Sequence, residues 1–475
     1  MWDRVAMSTN DYDVVVLGAG PAGEVCAGAL ADGGLRVAIV ERERVGGECS
    51  FFACIPSKIL LRPGEPVAQA REVPGAAEAV TGRIDPRALF AWRDATVGHF
   101  DDSGQLPWLQ ERGIDLVRGS GRLAGLGIVE VDGTPGGRFS ARHIVIATGS
   151  DPVIPPIDGL GELEGVWTNR EVTSMHEVPR RMLVLGGGPV GVEMAQVVAR
   201  LGGEVARVEG MGHLLPREAR ALGDALGDEL RRDGIELHLG RHASAARRDG
   251  DEFVLAFEGG DELRGDRLLV ATGRRPRVDG IGLETVGLRP ERGGIAVDER
   301  LSAGKGLWAI GDVAGIWPLT YVGKYQARIA AANILGGSRA AHYDAVPRVV
   351  FTDPQAAAVG DGDGVYTATV PLAEVPKSST YTGAYADHPW FLTLVSDGER
   401  LTGAYALGPE AGEWLQQATL AIRAHVPIAV LSDVIQPFPS FSGIYDAALT
   451  ALRMKIMDMP PPVRPMAAQA RAMSG

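Results

Sequence analysis

"YDVVVLGAGPAGEVCAGALADGGLRVAIVERE", residues 12–43, is the stretch from which the rest of the chain is read. Residues 14–17 are a short apolar run with the length and β-branching of a buried strand. Gly18-Ala-Gly20-Pro-Ala-Gly23 follows, then a small-residue helical stretch, then a second apolar run ending at Glu41. This is a strand–turn–helix–strand unit with glycines where a dinucleotide site needs them. Gly18 allows the tight turn, Gly20 lets backbone approach a pyrophosphate, and Gly23 lets helix pack on strand. The helix N-terminus faces the phosphates, and Glu41 can accept from a ribose hydroxyl.

The pattern recurs in "RMLVLGGGPVGVEMAQVVARLGGEVARVEG", with Gly186, Gly188 and Gly191 in the turn and Glu209 at the end of the second run. Gly186 stands 23 positions before Glu209, as Gly18 does before Glu41. One such motif is weak evidence; two in full context with equal spacing are strong. A second echo supports duplication. "HIVIATGS" and "RLLVATGR" each read as a returning strand followed by Ala-Thr-Gly, carrying Thr148 and Gly149 in one case and Gly273 in the other. The second nucleotide unit is therefore read as inserted in the first. The first resumes near Arg277 and includes "GLWAIGDVAG", where Gly311-Asp312 ends a strand and offers a carboxylate to a ligand hydroxyl. Farther on, alternating strands and two amphipathic helices carry no nucleotide motif, so binding or assembly is the expected role there.

Composition narrows the partners. Hydrophobic residues make up 45% and charged residues 23%, as in a globular enzyme, and the net charge of −13 argues against nucleic acid or an anionic membrane. No secretion signal and no apolar run long enough to span a bilayer is read. Three cysteines make no disulfide framework and point to the cytoplasm. Two of them, Cys49 and Cys54, lie five apart in "VGGECSFFACIPSKILLR", with Lys58 just beyond. A close pair in that setting is redox or metal chemistry before it is a staple, with an inert core pair as the third reading. A zinc site would want a second ligand pair, and the only other cysteine, Cys26, lies in the small-residue helix as a core residue.

With these residues in view the chain resembles the pyridine nucleotide–disulfide oxidoreductase family, which includes dihydrolipoamide dehydrogenase, glutathione reductase and mercuric reductase. The resemblance runs from about residue 11 to 457, and its most specific motif is Gly-Gly-x-Cys-x4-Cys-x-Pro-x-Lys, met here from Gly46 through Gly47 to Lys58. It implies an α/β fold of two Rossmann-like dinucleotide-binding domains, the second inserted in the first, plus a C-terminal α+β dimerisation domain. Residues 11–150 and 277–345 would bind FAD, 151–276 NADH or NADPH, 346–460 would form the homodimer interface, and 461–475 a flexible tail. Gly18, Gly20, Gly23, Glu41, Gly47, Gly121, Thr148, Gly149, Gly311 and Asp312 would lie along FAD. Gly186, Gly188, Gly191, Glu193, Glu209 and Gly273 would serve the nicotinamide nucleotide. Cys49 would exchange with substrate, Cys54 would face the flavin as a thiolate, and Lys58 would approach the flavin and pair with Glu193. No metal is implied. Glu209 favours NADH, since it would repel a 2′-phosphate, although Arg207 and Arg217 are nearby cations. Five residues apart in regular helix, two Cα atoms are about 8–9 Å apart, too far for a disulfide. The bond therefore predicts a loop or distorted turn over residues 49–54, with helix after Pro56.

The chain departs from the family in "IQPFPSFSGIYDAAL". Phe438 stands where many members carry an acid–base histidine, and Gly443 where they carry its glutamate. A placed histidine is worth roughly 10²–10⁴-fold. Tyr445 and His425 are possible substitutes near in sequence, but each reads first as a structural residue. No cysteine follows Cys54, whereas mercuric reductase carries a C-terminal pair. Phe51, Phe52, Phe438 and Phe441 suggest either an apolar substrate approach or interface packing. The acceptor is thus a disulfide or small molecule reached through Cys49, or a quinone or metal ion reduced from the flavin directly. A non-catalytic redox sensor is disfavoured by the intact second turn.

Overall fold

The computed structural model describes residues 11–133, 137–290 and 293–457; the tail expected at 461–475 lies outside them. The described residues form two compact units, one within 11–68, 81–216 and 230–343, the other within 69–80, 217–229 and 344–457.

The first unit contains both parallel sheets. β1 (Asp11–Leu17), β2 (Val37–Glu41), β3 (Asp115–Arg118) and β6 (Arg138–Ile146) run parallel, with β17 (Leu307–Ala309) beside β6 and β16 (Ser302–Gly304) at the edge. β4 (Gly121–Leu123) and β5 (Ile128–Val131) extend this sheet antiparallel from β6. The apolar run of β1 is buried on both faces, as a strand covered on both sides must be. Val14 and Val16 pack with Cys26, Ala27 and Leu30 of helix α1 (Pro21–Asp32), while Val15 and Leu17 face Leu123, Val129 and Phe139. Cys26 is a core residue, as read.

The second sheet repeats the plan. β8 (Arg181–Leu185), β9 (Glu204–Glu209), β10 (Glu236–Leu239) and β14 (Arg267–Val270) are all parallel, in the order β10-β9-β8-β14. A three-stranded antiparallel sheet of β11 (Ala243–Asp249), β12 (Glu252–Phe257) and β13 (Glu262–Gly265) covers one face, burying Phe253, Leu255 and Phe257 against Leu183 and Ala206. β7 (Ser150–Pro152) pairs with β15 (Arg274–Pro276), so the two Ala-Thr-Gly exits meet in one ribbon.

The helices that position the site are α2 (Gly47–Phe51), α3 (Cys54–Leu61), α4 (Asn169–Thr173), α5 (Pro189–Arg200) and α6 (Thr320–Ile334). In the second unit, β18 (Arg348–Val350), β19 (Gln355–Gly360), β20 (Tyr366–Pro371), β21 (Phe391–Ser396) and β22 (Leu401–Gly408) form an antiparallel sheet in the order β18-β19-β22-β21-β20. Helix α7 (Gln416–Arg423) packs on β22, and α8 (Ile444–Ile456) on β20 and β21. β20 has no counterpart in the sequence reading. Among the described residues no helix is long and apolar enough to cross a membrane.

Candidate active site

Each glycine turn follows its strand as a cramped bend with one open place. Gly18 has φ +104°, and a Cβ there would lie 2.4 Å from the Ala147 carbonyl oxygen. At Gly186, φ is +115° and the same approach, 2.4 Å, is made to Ala271. A Cβ on Gly23 would sit 2.0 Å from the oxygen of Gly18. Gly20 by contrast has no protein atom within 4 Å of where a Cβ would be, and Gly188 only one, at 3.9 Å. Neither α1 nor α5 has a side-chain cap at its N-terminus. First-turn amides thus open on free space beside a glycine with no side chain, a cradle that fits a pyrophosphate in both halves. Gly23→Ala is expected to cost about 1–3 kcal/mol from overpacking, because backbone rather than a mobile side chain is in the way. Purification should yield protein with less bound flavin and a lower melting temperature.

The acidic residues sit where the spacing puts them. Glu41 Oε2 accepts from the Ala19 amide at 2.8 Å and Oε1 from the Glu43 amide at 2.6 Å. Glu209 Oε1 accepts from the Met211 amide at 2.7 Å, and its Oε2 leaves no room for a Cβ on Gly187. Asp312 Oδ2 accepts from Ser150 Oγ at 2.5 Å, while the Gly311 amide donates to Gln326 Oε1 at 2.7 Å. Thr148 Oγ1 donates to the Arg277 carbonyl at 2.8 Å. Gly149 and Gly273 are the turning points of the two returning strands, with φ +77° and +133°. Gly121 is packed tightly, since a Cβ would lie 2.9 Å from Leu17 and Val40 side-chain atoms.

The thiol pair is held against the first turn. The Gly46 amide donates to the Ala19 carbonyl at 2.8 Å, and a Cβ on Gly47 would be 2.8 Å from Gly20 Cα. Helix α2 carries Cys49 and ends at Phe51; Phe52 (φ −135°, ψ 11°) and Ala53 (φ −143°, ψ −103°) break it. The break expected between the cysteines is there, but α3 begins at Cys54, two residues before Pro56, instead of after it. Because Pro56 falls in the first turn, its missing N–H forfeits no helical bond.

The two sulfurs share one proton unequally. The Cys49 thiol donates to Cys54, and this bond above all lowers the Cys54 thiol to about 6 and raises that of Cys49. Burial and Glu193 oppose the Cys54 anion, whereas Thr320 and Lys58 favour it. Cys54 Sγ lies 3.3 Å from Oγ1 of Thr320, the first residue of α6. Lys58 Nζ donates to Glu193 Oε2 at 2.8 Å and to Ser57 Oγ at 3.2 Å. The Glu193 side chain is 6% exposed and that of Lys58 37%. The pairing implied by the family resemblance is thus present, across 135 positions of chain.

The pH dependence follows from the sign of the Cys54 shift. Its thiol is lowered from 9.0 to about 6, so the anion is present above that pH and is lost as pH falls through it. The stability it contributes is full above 9.0, the unperturbed value, and vanishes as pH falls through about 6. Reduced protein should therefore be alkylated at Cys54 with a midpoint near 6, and Thr320→Val should move that midpoint upward by removing a hydroxyl donor. An unchanged midpoint would show that Thr320 does not stabilise the anion.

Two sets of site residues were not visible in the sequence. Thr320 reaches Cys54 from 266 positions away, and nothing local marks it. Glu48, between Gly47 and Cys49, receives hydrogen bonds from Asn169 Nδ2 (2.8 Å), Arg170 Nε (2.6 Å) and Arg274 Nη2 (3.3 Å), which tie α2 to α4 and β15. An acidic residue inside the cysteine motif was the only available signal.

Burial and exposure account for several of the residues named from the sequence. Arg207 does not face a ribose: its side chain is fully buried and turned onto the carbonyls of its own glycine turn. Arg217 is exposed. Tyr445 is no acid–base substitute, being 1% exposed, bonded to the Trp414 carbonyl at 3.3 Å, and raised by burial. His425 is exposed on the second unit. Phe51 and Phe441 are buried, and Phe52 stacks on Phe100 at 5.7 Å beneath the Arg170 guanidinium at 4.5 Å, so these rings are taken up by packing. Phe438 alone of the four is widely exposed, at 82%. Among the described residues no group of three or more His, Cys, Asp or Glu side chains is placed to hold a metal.

Two dinucleotide turns joined to a dithiol define an oxidoreductase that moves electrons between a pyridine nucleotide and sulfur. Residues 12–329 match the pyridine nucleotide–disulphide oxidoreductase family and residues 346–448 the dimerisation domain of the same family. The chain belongs to that family, whose members are enzymes using FAD and NAD(P)H. It is 35% identical to dihydrolipoyl dehydrogenase of Thermus scotoductus over 456 residues, covering 92% of this chain and 96% of that one. It is also 35% identical to mercuric reductase of Acidithiobacillus ferrooxidans over 469 residues, covering 94% and 84%. Among solved structures it is similar to the Cu(II) complex of the HOCl-induced flavoprotein disulfide reductase RclA from Escherichia coli. That likeness has a TM-score of 0.81 at 26% identity and covers 93% of this chain and 99% of that one.

Proposed function

We propose that the protein takes electrons from NAD(P)H through FAD into the Cys49–Cys54 pair and delivers them from Cys49 to a small disulfide. The observation that carries this reading is the pair itself: a lowered Cys54 thiol hydrogen-bonded by the Cys49 thiol, set against the first glycine turn by Gly47. FAD, when bound, accepts hydride from the nicotinamide and reduces a disulfide. Residues 11–150 and 277–345 would hold it, through Gly18, Gly20, Gly23, Glu41 and Asp312. Residues 151–276 would hold the nicotinamide nucleotide through Gly186, Gly188, Gly191 and Glu209. The buried Glu209 carboxylate, with Arg207 turned away, supports NADH. Residues 346–460 would make the homodimer, and the scarcity of cysteines supports a cytoplasmic protein.

In the delivery step Cys49 gives its proton to Cys54 Sγ and attacks one sulfur of the acceptor, forming a mixed disulfide. The departing thiolate takes the proton. Cys54 Sγ then attacks Cys49 Sγ, the mixed bond breaks, and the second acceptor thiolate leaves. Two electrons have passed to the acceptor, and the Cys49–Cys54 bond is the oxidised product. Within the pair Cys54 can thus do part of what the family's histidine does.

A second reading, direct reduction of a quinone or metal ion, is favoured by one observation, the exposed Phe438 ring where that histidine stands. Rates with glutathione, lipoamide and mycothiol disulfides and with a quinone, measured for native protein and Cys49→Ser, separate the two. Disulfide turnover lost in Cys49→Ser supports the first. Quinone reduction at full rate in the variant, with no disulfide turned over by native protein, supports the second and defeats the first.

A further inference from the structure

Arg207 lies on β9 two residues before Glu209, and its side chain is 0% exposed. Nε and Nη2 donate to the Gly186 carbonyl at 3.0 and 2.6 Å, and Nη2 reaches the Gly188 carbonyl at 3.3 Å. Both carbonyls belong to the second glycine turn. The last nitrogen, Nη1, is buried with no hydrogen-bond partner. A buried guanidinium served only by carbonyl dipoles, with one donor orphaned, is costly to fold. Burial lowers it to about 9 against the opposing pull of Glu209, so it is a cation at neutral pH.

The turn does not need this residue to form. The first glycine turn has the same spacing to its acidic residue, and the position equivalent to Arg207 is Ile39, buried among Val14, Val16 and Ala27. There a Cβ on Gly23 would be 2.0 Å from the Gly18 oxygen; at Gly191 the corresponding distance to Gly186 is 2.9 Å, with Arg207 Nη2 at 3.1 Å. The second turn is opened just enough to admit a guanidinium behind it. In a trans peptide the Gly187 N–H points opposite to the Gly186 carbonyl, so holding that carbonyl inward fixes the direction of this amide. The cation also adds charge within hydrogen-bond reach of the Gly188 carbonyl, beside the open place.

We propose that Arg207 is a positioning residue for the pyridine nucleotide: a buried cation behind the second glycine turn that orients its peptide dipoles and strengthens its hold on the dinucleotide pyrophosphate. This rests on the reading that the second turn binds a pyridine nucleotide. It accounts for a charge that neither core packing nor ribose recognition uses.

The test is calorimetric binding of ADP-ribose, and of adenosine, which lacks the pyrophosphate, to flavin-loaded native protein, Arg207→Met and Arg207→Gln. Removing a charge one peptide layer from a dianion in a partly dry site should weaken ADP-ribose by about tenfold or more. Adenosine should change by less than about twofold in both variants. Arg207→Gln keeps a donor for the Gly186 carbonyl without the charge, so it reports even if the methionine variant does not fold. Should either folded variant bind ADP-ribose within about twofold of native, the role of Arg207 is overturned while the nucleotide reading stands. If native protein binds neither ADP-ribose nor NADH, both are overturned.

Discussion

Cys54→Ser is expected to reduce disulfide turnover to background, a loss of roughly 10³-fold or more, because a nucleophile acting as one half of a pair cannot be replaced by its partner. Serine can take the place of the sulfur beside Thr320, but it closes no bond to Cys49 and carries no anion at neutral pH. The Cys49 thiol should respond in the opposite sense. Its upward shift comes first from donating to Cys54, so in the variant its alkylation midpoint falls. Simple misfolding would not move that midpoint downward while leaving flavin bound. Turnover that persists in Cys54→Ser would mean that electrons leave without passing through the pair.

Lys58→Met is the other large effect. It leaves the Glu193 carboxylate, 6% exposed, without the ammonium 2.8 Å away. Breaking a fully buried ion pair costs about 3–5 kcal/mol, and the 37% exposure of Lys58 reduces this to about 1–3 kcal/mol. Denaturant midpoints for native protein, Lys58→Met and Lys58→Arg measure it, with arginine expected to retain most of the stability. The pair also acts on sulfur with a testable sign. Lys58 lowers the Cys54 thiol and Glu193 raises it. Lys58→Met should move the Cys54 alkylation midpoint up, and Glu193→Gln should move it down. Shifts of the same sign in both variants would contradict this electrostatic account.

The glycine turns were legible in the sequence because they are local: strand, bend, helix and acidic residue follow one another within a few turns of chain. The return strands were legible because duplication printed Ala-Thr-Gly twice. The break between Cys49 and Cys54 followed from bond geometry, and only its far edge was misplaced, because Pro56 is tolerated anywhere in a first turn. The Lys58–Glu193 pair came through resemblance; no spacing rule joins positions so far apart. Thr320 and the partners of Glu48 were missed for the same reason. Their role depends on which helix end meets which loop, and tertiary packing alone decides that. Arg207 is a different case. Its charge stands in the sequence only as a cation near Glu209; two residues before Glu209 on β9 it shares that face, and its guanidinium is taken up by the carbonyl of its own turn. Tyr445 has acid–base chemistry to offer, but its structural reading stands: a core ring whose hydroxyl donates to the Trp414 carbonyl and accepts from the Ala418 amide.

The role proposed for the Cys49–Cys54 pair is that of an electron store beyond the flavin. Anaerobic titration of purified native protein with NADH, monitored through the visible spectrum, counts that store directly. Native protein should take about two equivalents per flavin, with a long-wavelength thiolate–flavin band after the first, while Cys54→Ser should take about one and show no band. One equivalent and no band in the native protein would contradict the account.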